Sequence, residues 1–290
     1  MEAAITRVGV VGLGQMGAGI AQVLLEGGCE VVGRDIDDAA LERARARIEG
    51  GLARRVEKGQ RSEDERRGAL ERLTLVSELG GLSGCQLVIE AIVEDIGAKR
   101  QLFAALDAIC DEHAILASNT SAISITAIAA GSRRPERCLG LHFFNPAPLM
   151  PLVEVVRAEH TDDASYTAAY ELIVACGKQA VRCNDTPGFV VNRLLIPLIN
   201  DAVRALDEIG IEPAEIDLAM TNGAGWPMGP FRLIDLIGVD VHVHAAEALY
   251  AAVGEPRMAP PPRLRRMLAA GLLGRKTGRG FYDYRAAEEP

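Results

Sequence analysis

The sequence predicts an α/β fold, in which a mostly parallel sheet covered by helices on both faces is followed by an all-helical region. Three observations carry this expectation. A strand, a glycine-rich turn, a helix and a second strand succeed one another between Val8 and Asp35, the pattern of a βαβ unit whose crossover makes its strands parallel. Short β-branched runs then alternate with helical periodicity as far as Val156. Beyond Asp185-Thr186-Pro187-Gly188 the periodicity is helical throughout.

The first strand is Val8-Gly9-Val10-Val11, and helical spacing begins at Met16 and runs through Ile20, Val23 and Leu24. Glu30-Val31-Val32-Gly33-Arg34-Asp35 reads as a second strand ending in an acid. Leu41, Ala44, Ile48, Leu52 and Val56 recur at helical spacing, Lys58-Gly59-Gln60-Arg61 breaks the run, and Ser62 to Leu73 is helical again. Ser62 followed three residues later by Glu65 matches a capping box, in which each side chain satisfies a backbone N–H of the other. The expectation is a charged helical hairpin inserted in the α/β region and standing out from the sheet. Leu87-Val88-Ile89-Glu90, Ala114-Ile115-Leu116-Ala117-Ser118 and Cys138-Leu139-Gly140-Leu141-His142 are strand-like runs, separated by helical stretches at 98–111 and near 124–130. Continuous apolar runs of this kind suit parallel strands buried on both faces. Leu194, Leu195, Leu198, Ile199, Val203 and Leu206 form the broad apolar stripe of a buried helix, and 213–222, 230–237, 239–252 and 262–271 stay in helical register. The Thr186-Pro187-Gly188 punctuation marks the expected boundary between domains of residues 1–186 and 187–290.

The 290 residues suffice for two domains, each with a core of its own. Thirty-one Lys and Arg stand against 40 Asp and Glu, a net charge of −9, which argues against a nucleic-acid backbone or an anionic membrane as partner. The six cysteines include no C-x-x-C pair and read as reduced thiols. With no charged-then-apolar leader and no membrane-length apolar run, a cytoplasmic location is expected.

Gly12-Leu13-Gly14-Gln15-Met16-Gly17 is a G-x-G-x-x-G run, weak by itself in a chain with 30 glycines. Its setting gives it weight: it follows a strand, opens a helix, and has Asp35 at the end of the next strand. Such glycines permit a tight turn and close backbone approach to a pyrophosphate, which the helix N-terminus then binds with free N–H groups and its dipole. Asp35 would accept hydrogen bonds from a ribose diol and repel a 2′-phosphate, favouring NAD, while Arg34 beside it keeps NADP open. Ala117-Ser118-Asn119-Thr120-Ser121 is a polar run straight off a buried strand, where open α/β sheets hold ligands; capping of the next helix is its other use.

Leu141-His142-Phe143-Phe144-Asn145-Pro146 puts a histidine at another strand end, twelve residues before Glu154. Pro146, Pro148 and Pro151 force a turn, so that Leu152-Val153-Glu154-Val155-Val156 can fold back towards it. A carboxylate in an apolar strand is costly unless partnered, and a histidine partner would create an oriented general acid/base. A core histidine with an exposed glutamate is the alternative these residues leave open. His113 and His160 fall in turns, His242 and His244 do not share a helix face, and no H-E-x-x-H or carboxylate cluster has ligand spacing, so no metal is expected. Ser121 lacks a nucleophile-elbow setting, which disfavours hydrolysis. Arg54, Arg55 and Lys58 are either a solvated helix face or a clamp for a phosphorylated carrier.

Together these segments resemble the 3-hydroxyacyl-CoA dehydrogenase family, in its short bacterial 3-hydroxybutyryl-CoA dehydrogenase form. Gly12–Gly19, Arg34-Asp35-Ile36, Val88–Glu94 with Lys99, Ser118–Ser121, His142–Pro148, Val153-Glu154-Val155, Asp185–Leu195, Met228-Gly229-Pro230, and Gly274-Arg275-Lys276 with Gly278–Tyr284 run in family order over nearly the whole chain. The resemblance implies a Rossmann-like NAD-binding domain followed by an all-helical domain that supplies most of a homodimer interface. It implies reversible NAD-linked oxidation of a short L-3-hydroxyacyl-CoA, with His142 as acid/base and Glu154 as its orienting partner. Ser121 and Asn192 would contact the reacting oxygen and hold the thioester. Asp35, Glu94, Lys99 and Asn119 would line the dinucleotide with the glycine turn, and Arg54 and Lys58 would approach the CoA phosphates. The same chemistry on an acyl-carrier-protein or sugar-acid substrate is the nearest alternative. A dinucleotide-binding protein without catalysis is a further one, against which the set Ser121, His142, Glu154 and Asn192 argues. Pro151, where the family commonly has a lysine, and Trp226, where it has tyrosine or histidine, depart from the pattern and bear on the acyl pocket.

Overall fold

The computed structural model describes residues 4–285 and divides into two compact units, Met1–Phe189 and Val190–Pro290. In the first unit β1 (Arg7–Val11), α1 (Gln15–Glu26) and β2 (Glu30–Arg34) make the expected parallel βαβ unit, with Val8 paired to Val31 and Val10 to Gly33. There follow α2 (Asp38–Glu57), α3 (Glu63–Glu71), β3 (Leu73–Val76), β4 (Leu87–Glu90), α4 (Ile96–Ile109), β5 (Ile115–Ser118), α5 (Ile125–Ala129), β6 (Cys138–Phe143), β7 (Leu152–Arg157), α6 (Asp163–Ala175) and β8 (Gln179–Asn184). The eight strands lie in the order β3-β2-β1-β4-β5-β6-β7-β8, and every pair is parallel except β6–β7. The chain leaves β1 in one direction towards β3 and returns beside β1 to build the other half. The reversal between β1 and β4 opens a crevice at the carboxyl ends of the strands, the place where α/β sheets bind ligands.

Alternation along the strands splits their side chains between two apolar layers. Val8, Val10, Val31, Leu87, Ile89, Ile115 and Ala117 face α1, α2 and α6, while Val11, Val32, Val88 and Leu116 face Leu102, Phe103 and Leu106 of α4. The hairpin differs from its expectation. Ala44, Ile48 and Leu52 of α2 and Ala69 of α3 are buried in the same layer as α1, so the hairpin lies on that helix instead of standing free. Gly51 permits the approach, since a Cβ there would fall 2.1 Å from Gln22 Oε1 on α1. The Ser62–Glu65 capping box forms as read, with both reciprocal bonds present.

The second unit holds α7 (Val191–Ile209), α8 (Pro213–Ala224), α9 (Pro230–Ile237), α10 (Val239–Val253) and α11 (Pro262–Ala269) around Ile199, Val203, Phe231, Ile234, Val243 and Leu264. Buried acids tie its ends together. Asp217 on α8 accepts the Phe231 and Arg232 N–H groups at the start of α9 and the Tyr282 hydroxyl, and Asp235 on α9 accepts the Phe281 and Tyr282 N–H groups. Gly280 is required there, because a Cβ would lie 2.1 Å from Asp235 Oδ1. Buried Asn200 on α7 donates to the Arg257, Met258 and Ala259 carbonyls and accepts from His242 Nε2 at 2.9 Å. Among the described residues no single helix is long and apolar enough to cross a membrane.

Candidate active site

The glycine turn sits at the reversal between β1 and β4, and its three glycines have three different reasons. Gly12 has φ +86°, and a Cβ on it would lie 2.7 Å from the Ala91 carbonyl oxygen. A Cβ on Gly17 would lie 1.8 Å from the Gly12 carbonyl oxygen, so α1 can pack this close only with glycine there. Gly14 has no atom within 4 Å of its Cβ position, and α1 begins after it with no side-chain cap. That combination of open space and uncapped N–H groups fits a dinucleotide pyrophosphate. Leu13 is buried and Met16 packs against the core, so they serve the turn through their backbone, and Gln15 Nε2 donates to Asn145 Oδ1 at 2.9 Å. Asp35 accepts the Leu13 and Ile36 N–H groups, each at 2.8 Å, and stays partly exposed beside the turn. Arg34 turns to the Ser77 carbonyl, to which its Nε donates at 3.0 Å.

Beyond β4 and β5 the polar run folds over a buried ion pair. Asn119 Oδ1 accepts the Phe143 N–H at 2.9 Å, tying the end of β5 to β6. Glu94 gathers the turn that follows, accepting the Thr120 hydroxyl and the Ser121 and Ala122 N–H groups. Lys99, expected to line the dinucleotide, is 1% exposed, and its Nζ is shared by Glu90 Oε1 at 2.6 Å and Glu94 Oε2 at 3.2 Å. Its ammonium therefore works from beneath Glu94 and not from the open crevice. Nothing in the local sequence marks Glu90, because its partners lie nine and 28 residues away and converge only through the sheet.

The β6–β7 ladder sets His142 directly opposite Glu154. The two are 4% and 0% exposed, and His142 Nδ1 lies 2.6 Å from Glu154 Oε2. A carboxylate can only accept, so it holds the proton of the neutral ring on Nδ1 and leaves the Nε2 lone pair free. Nε2 in turn meets Ser121 Oγ at 3.0 Å, and the Phe144 and Phe189 rings, 4.5 and 5.5 Å away by centroid, keep the imidazole in apolar surroundings. The loop between the two strands is held by its backbone. Lys178 Nζ donates to the Ala147, Pro148 and Met150 carbonyls at 2.8, 3.2 and 2.8 Å, and Arg55 Nη2 donates to Pro148 O at 2.8 Å. Burial, with the nearby Arg55 charge, pushes Lys178 below the usual lysine range. Arg55 is thereby spent inside the first unit, whereas Arg54 and Lys58 on α2 and just beyond it are exposed. Asn192 lies in the first turn of α7 in the second unit, partly exposed. Pro151 immediately precedes β7, and its carbonyl accepts the Gln179 N–H at 2.8 Å; Trp226 follows α8, with its N–H on the Met220 carbonyl at 3.2 Å.

Comparison with known proteins bears on what this arrangement does. The model of the 3-hydroxyacyl-CoA dehydrogenase NAD-binding domain matches residues 7–186, and that of the family's C-terminal domain matches residues 188–284. The chain belongs to the 3-hydroxyacyl-CoA dehydrogenase family. It is 47% identical over 286 residues to the 3-hydroxybutyryl-CoA dehydrogenase of Mycobacterium tuberculosis, covering 98% of this chain and 100% of the relative. It is 46% identical over 289 residues to the enzyme of that name from Bradyrhizobium diazoefficiens, covering 99% of this chain and 98% of the relative. The crystal structure of (S)-3-hydroxybutyryl-CoA dehydrogenase from Ralstonia eutropha superposes with a TM-score of 0.93 at 42% identity, over 97% of this chain and 99% of that one. The dehydrogenase is thus an NAD-dependent oxidoreductase of 3-hydroxyacyl-CoA chemistry, with the fold its sequence predicts.

Proposed function

We propose that this dehydrogenase interconverts a short-chain L-3-hydroxyacyl-CoA, such as 3-hydroxybutyryl-CoA, and the 3-oxoacyl-CoA, with His142 as the acid/base. The observation that supports this is one imidazole held at both nitrogens, by Glu154 at 2.6 Å and by Ser121 at 3.0 Å. In oxidation, His142 Nε2 takes the proton of the substrate 3-hydroxyl, and Glu154 stabilises the resulting imidazolium. Bound NAD supplies the acceptor for the hydride that leaves C3. In reduction, the imidazolium returns its proton to the oxygen at C3. Ser121 provides a hydrogen bond where negative charge develops, and the family resemblance assigns Asn192 to the same task and to holding the thioester. The exposed cations Arg54 and Lys58 suit the CoA phosphates. Gly12, Leu13, Gly14, Gln15, Met16 and Gly17 present the dinucleotide-binding turn, with Asp35, Glu94 and Asn119 beside it and Lys99 acting through Glu94. A homodimer formed by the helical unit accounts for Leu194, Leu198, Ile209 and Leu218, which are exposed on α7 and α8.

The test is a spectrophotometric assay with acetoacetyl-CoA and NADH. His142→Gln is expected to lose about 10²–10⁴-fold in turnover while keeping its affinity for dinucleotide. Undiminished turnover in that variant would remove His142 from the proton step. Parallel assays with acetoacetyl groups on carrier protein, and with free sugar acids, assign the substrate class.

A further inference from the structure

The reaction as described makes no use of Glu90. This residue ends β4 with no solvent exposure, accepts Lys99 Nζ at 2.6 Å and the Ile92 N–H at 2.7 Å on Oε1, and accepts the Ser118 hydroxyl at 2.6 Å on Oε2. Lys99 is equally buried and reaches Glu94 at 3.2 Å. Two carboxylates share one ammonium, leaving one net negative charge. Stability alone does not call for such a cluster, because well-packed apolar residues serve a buried position as well or better. Glu90 and Lys99 are buried, so their charges are little screened, while Glu94, 45% exposed, presents the surplus unit at the surface of the cluster.

The position of that charge is the informative part. Glu94 accepts the N–H of Ser121 at 3.1 Å, and Ser121 is the residue whose hydroxyl meets His142. Hydride leaves the carbon whose oxygen His142 engages, so its acceptor has to come into contact with that same carbon. Oxidised nicotinamide is a cation and reduced nicotinamide is neutral. We propose that Glu90 is a positioning residue that sets the charge beside the hydride acceptor. By holding Lys99 beneath Glu94, it keeps the Glu90–Lys99–Glu94 cluster one unit negative and favours NAD⁺ over NADH. The proposal rests on hydride transfer taking place beside His142. It is read by binding without turnover, so its outcome is separate from that of the His142→Gln assay.

The experiment measures dissociation constants for NADH, by its fluorescence, and for NAD⁺, by competition, on the full chain and two variants. Glu90→Gln keeps the size and removes one charge, and it is expected to raise the ratio Kd(NAD⁺)/Kd(NADH) about three- to tenfold. That change is equivalent to a shift in the potential of the bound couple. Glu90→Gln/Lys99→Met removes one charge of each sign, restores the net negative unit on Glu94, and returns the ratio to within about twofold of the parent chain. Equal weakening of both forms in Glu90→Gln overturns the proposal, since that is what a purely structural role produces. So does a double variant whose ratio stays with the single one. Should Glu90→Gln fail to fold, Glu90→Leu/Ser118→Ala, which puts apolar side chains in place of the buried pair and leaves Lys99 on Glu94, carries the test: the same rise in the ratio is expected, and an unchanged ratio overturns the proposal.

Discussion

Glu154 does two things for His142: it fixes which ring nitrogen carries the proton, and it turns the ring so that the free nitrogen meets Ser121. A second histidine of the chain shows the opposite arrangement. His242, buried on α10 with only the Asn200 side-chain oxygen on Nε2, has no carboxylate to stabilise a charge, and burial pushes it down to about 4. Its unfolded counterpart takes a proton near the ordinary value of 6.5, so between these limits the unfolded state binds more protons than the folded one. The stabilisation from this group is therefore whole above pH 6.5 and is lost as the pH falls towards 4, in all about 3 kcal/mol. Urea unfolding at intervals across that window is expected to show the loss in the parent chain and to lack that component in His242→Gln. At this scale an acid inside an apolar strand made a His142–Glu154 pair one of two open readings, and the ladder sets the two side chains opposite each other. The sequence concealed Glu90 for the converse reason, since an acid at a strand end is ordinary until Lys99 and Ser118 are brought to it.

Among the elements, the glycine turn separates shape from binding within six residues. Gly17→Ala drives a Cβ into the Gly12 carbonyl and is expected to cost about 1–3 kcal/mol of stability, with dinucleotide binding lost. Gly14→Ala meets no atom, and with φ at −61° its backbone suits any residue. It is expected to melt within about 2 °C of the parent, yet to bind NAD about tenfold more weakly, because a methyl group enters the space left for the pyrophosphate. Thermal melts and titrations on the two variants check both halves. Elements whose periodicity repeats over several turns, such as α1, α2 and α7, were legible from sequence. Strands β3 and β8 and helix α6 carry too little pattern to be legible. β3 has only four residues, β8 is a largely exposed edge strand, and α6 follows a turn whose Asp162 cap resembles an ordinary loop acid. Hydrophobic spacing also gave the buried stripe of α2 without saying what it lies against, which is how a hairpin packed on α1 reads as a free-standing one.

For the whole molecule, the division into an α/β unit and a helical unit follows the change of periodicity after Asp185, while its position follows packing. Phe189 clusters with Ile125, Val156 and Ala158 and so belongs with the first unit, directly after the Thr186-Pro187-Gly188 punctuation and three residues beyond the expected boundary at 186. The apolar side chains exposed on the helical unit lead to a prediction at this scale. Leu194→Asp is expected to convert a homodimer into a monomer in sedimentation equilibrium without changing dinucleotide affinity, and a monomeric parent chain would dispose of the interface. The grip of Lys178 on the 146–150 loop has a consequence of another kind. Its ammonium binds carbonyl oxygens, which every amino acid possesses, while the Leu149 side chain of the same turn is largely exposed and that of Met150 about a third exposed. At Leu149 and Met150, between the prolines that turn the chain, the shape of the loop is thus insulated from its spelling. Descendants of this chain, or a protein engineer, can exchange those two side chains while His142 and Glu154 keep their places in the ladder.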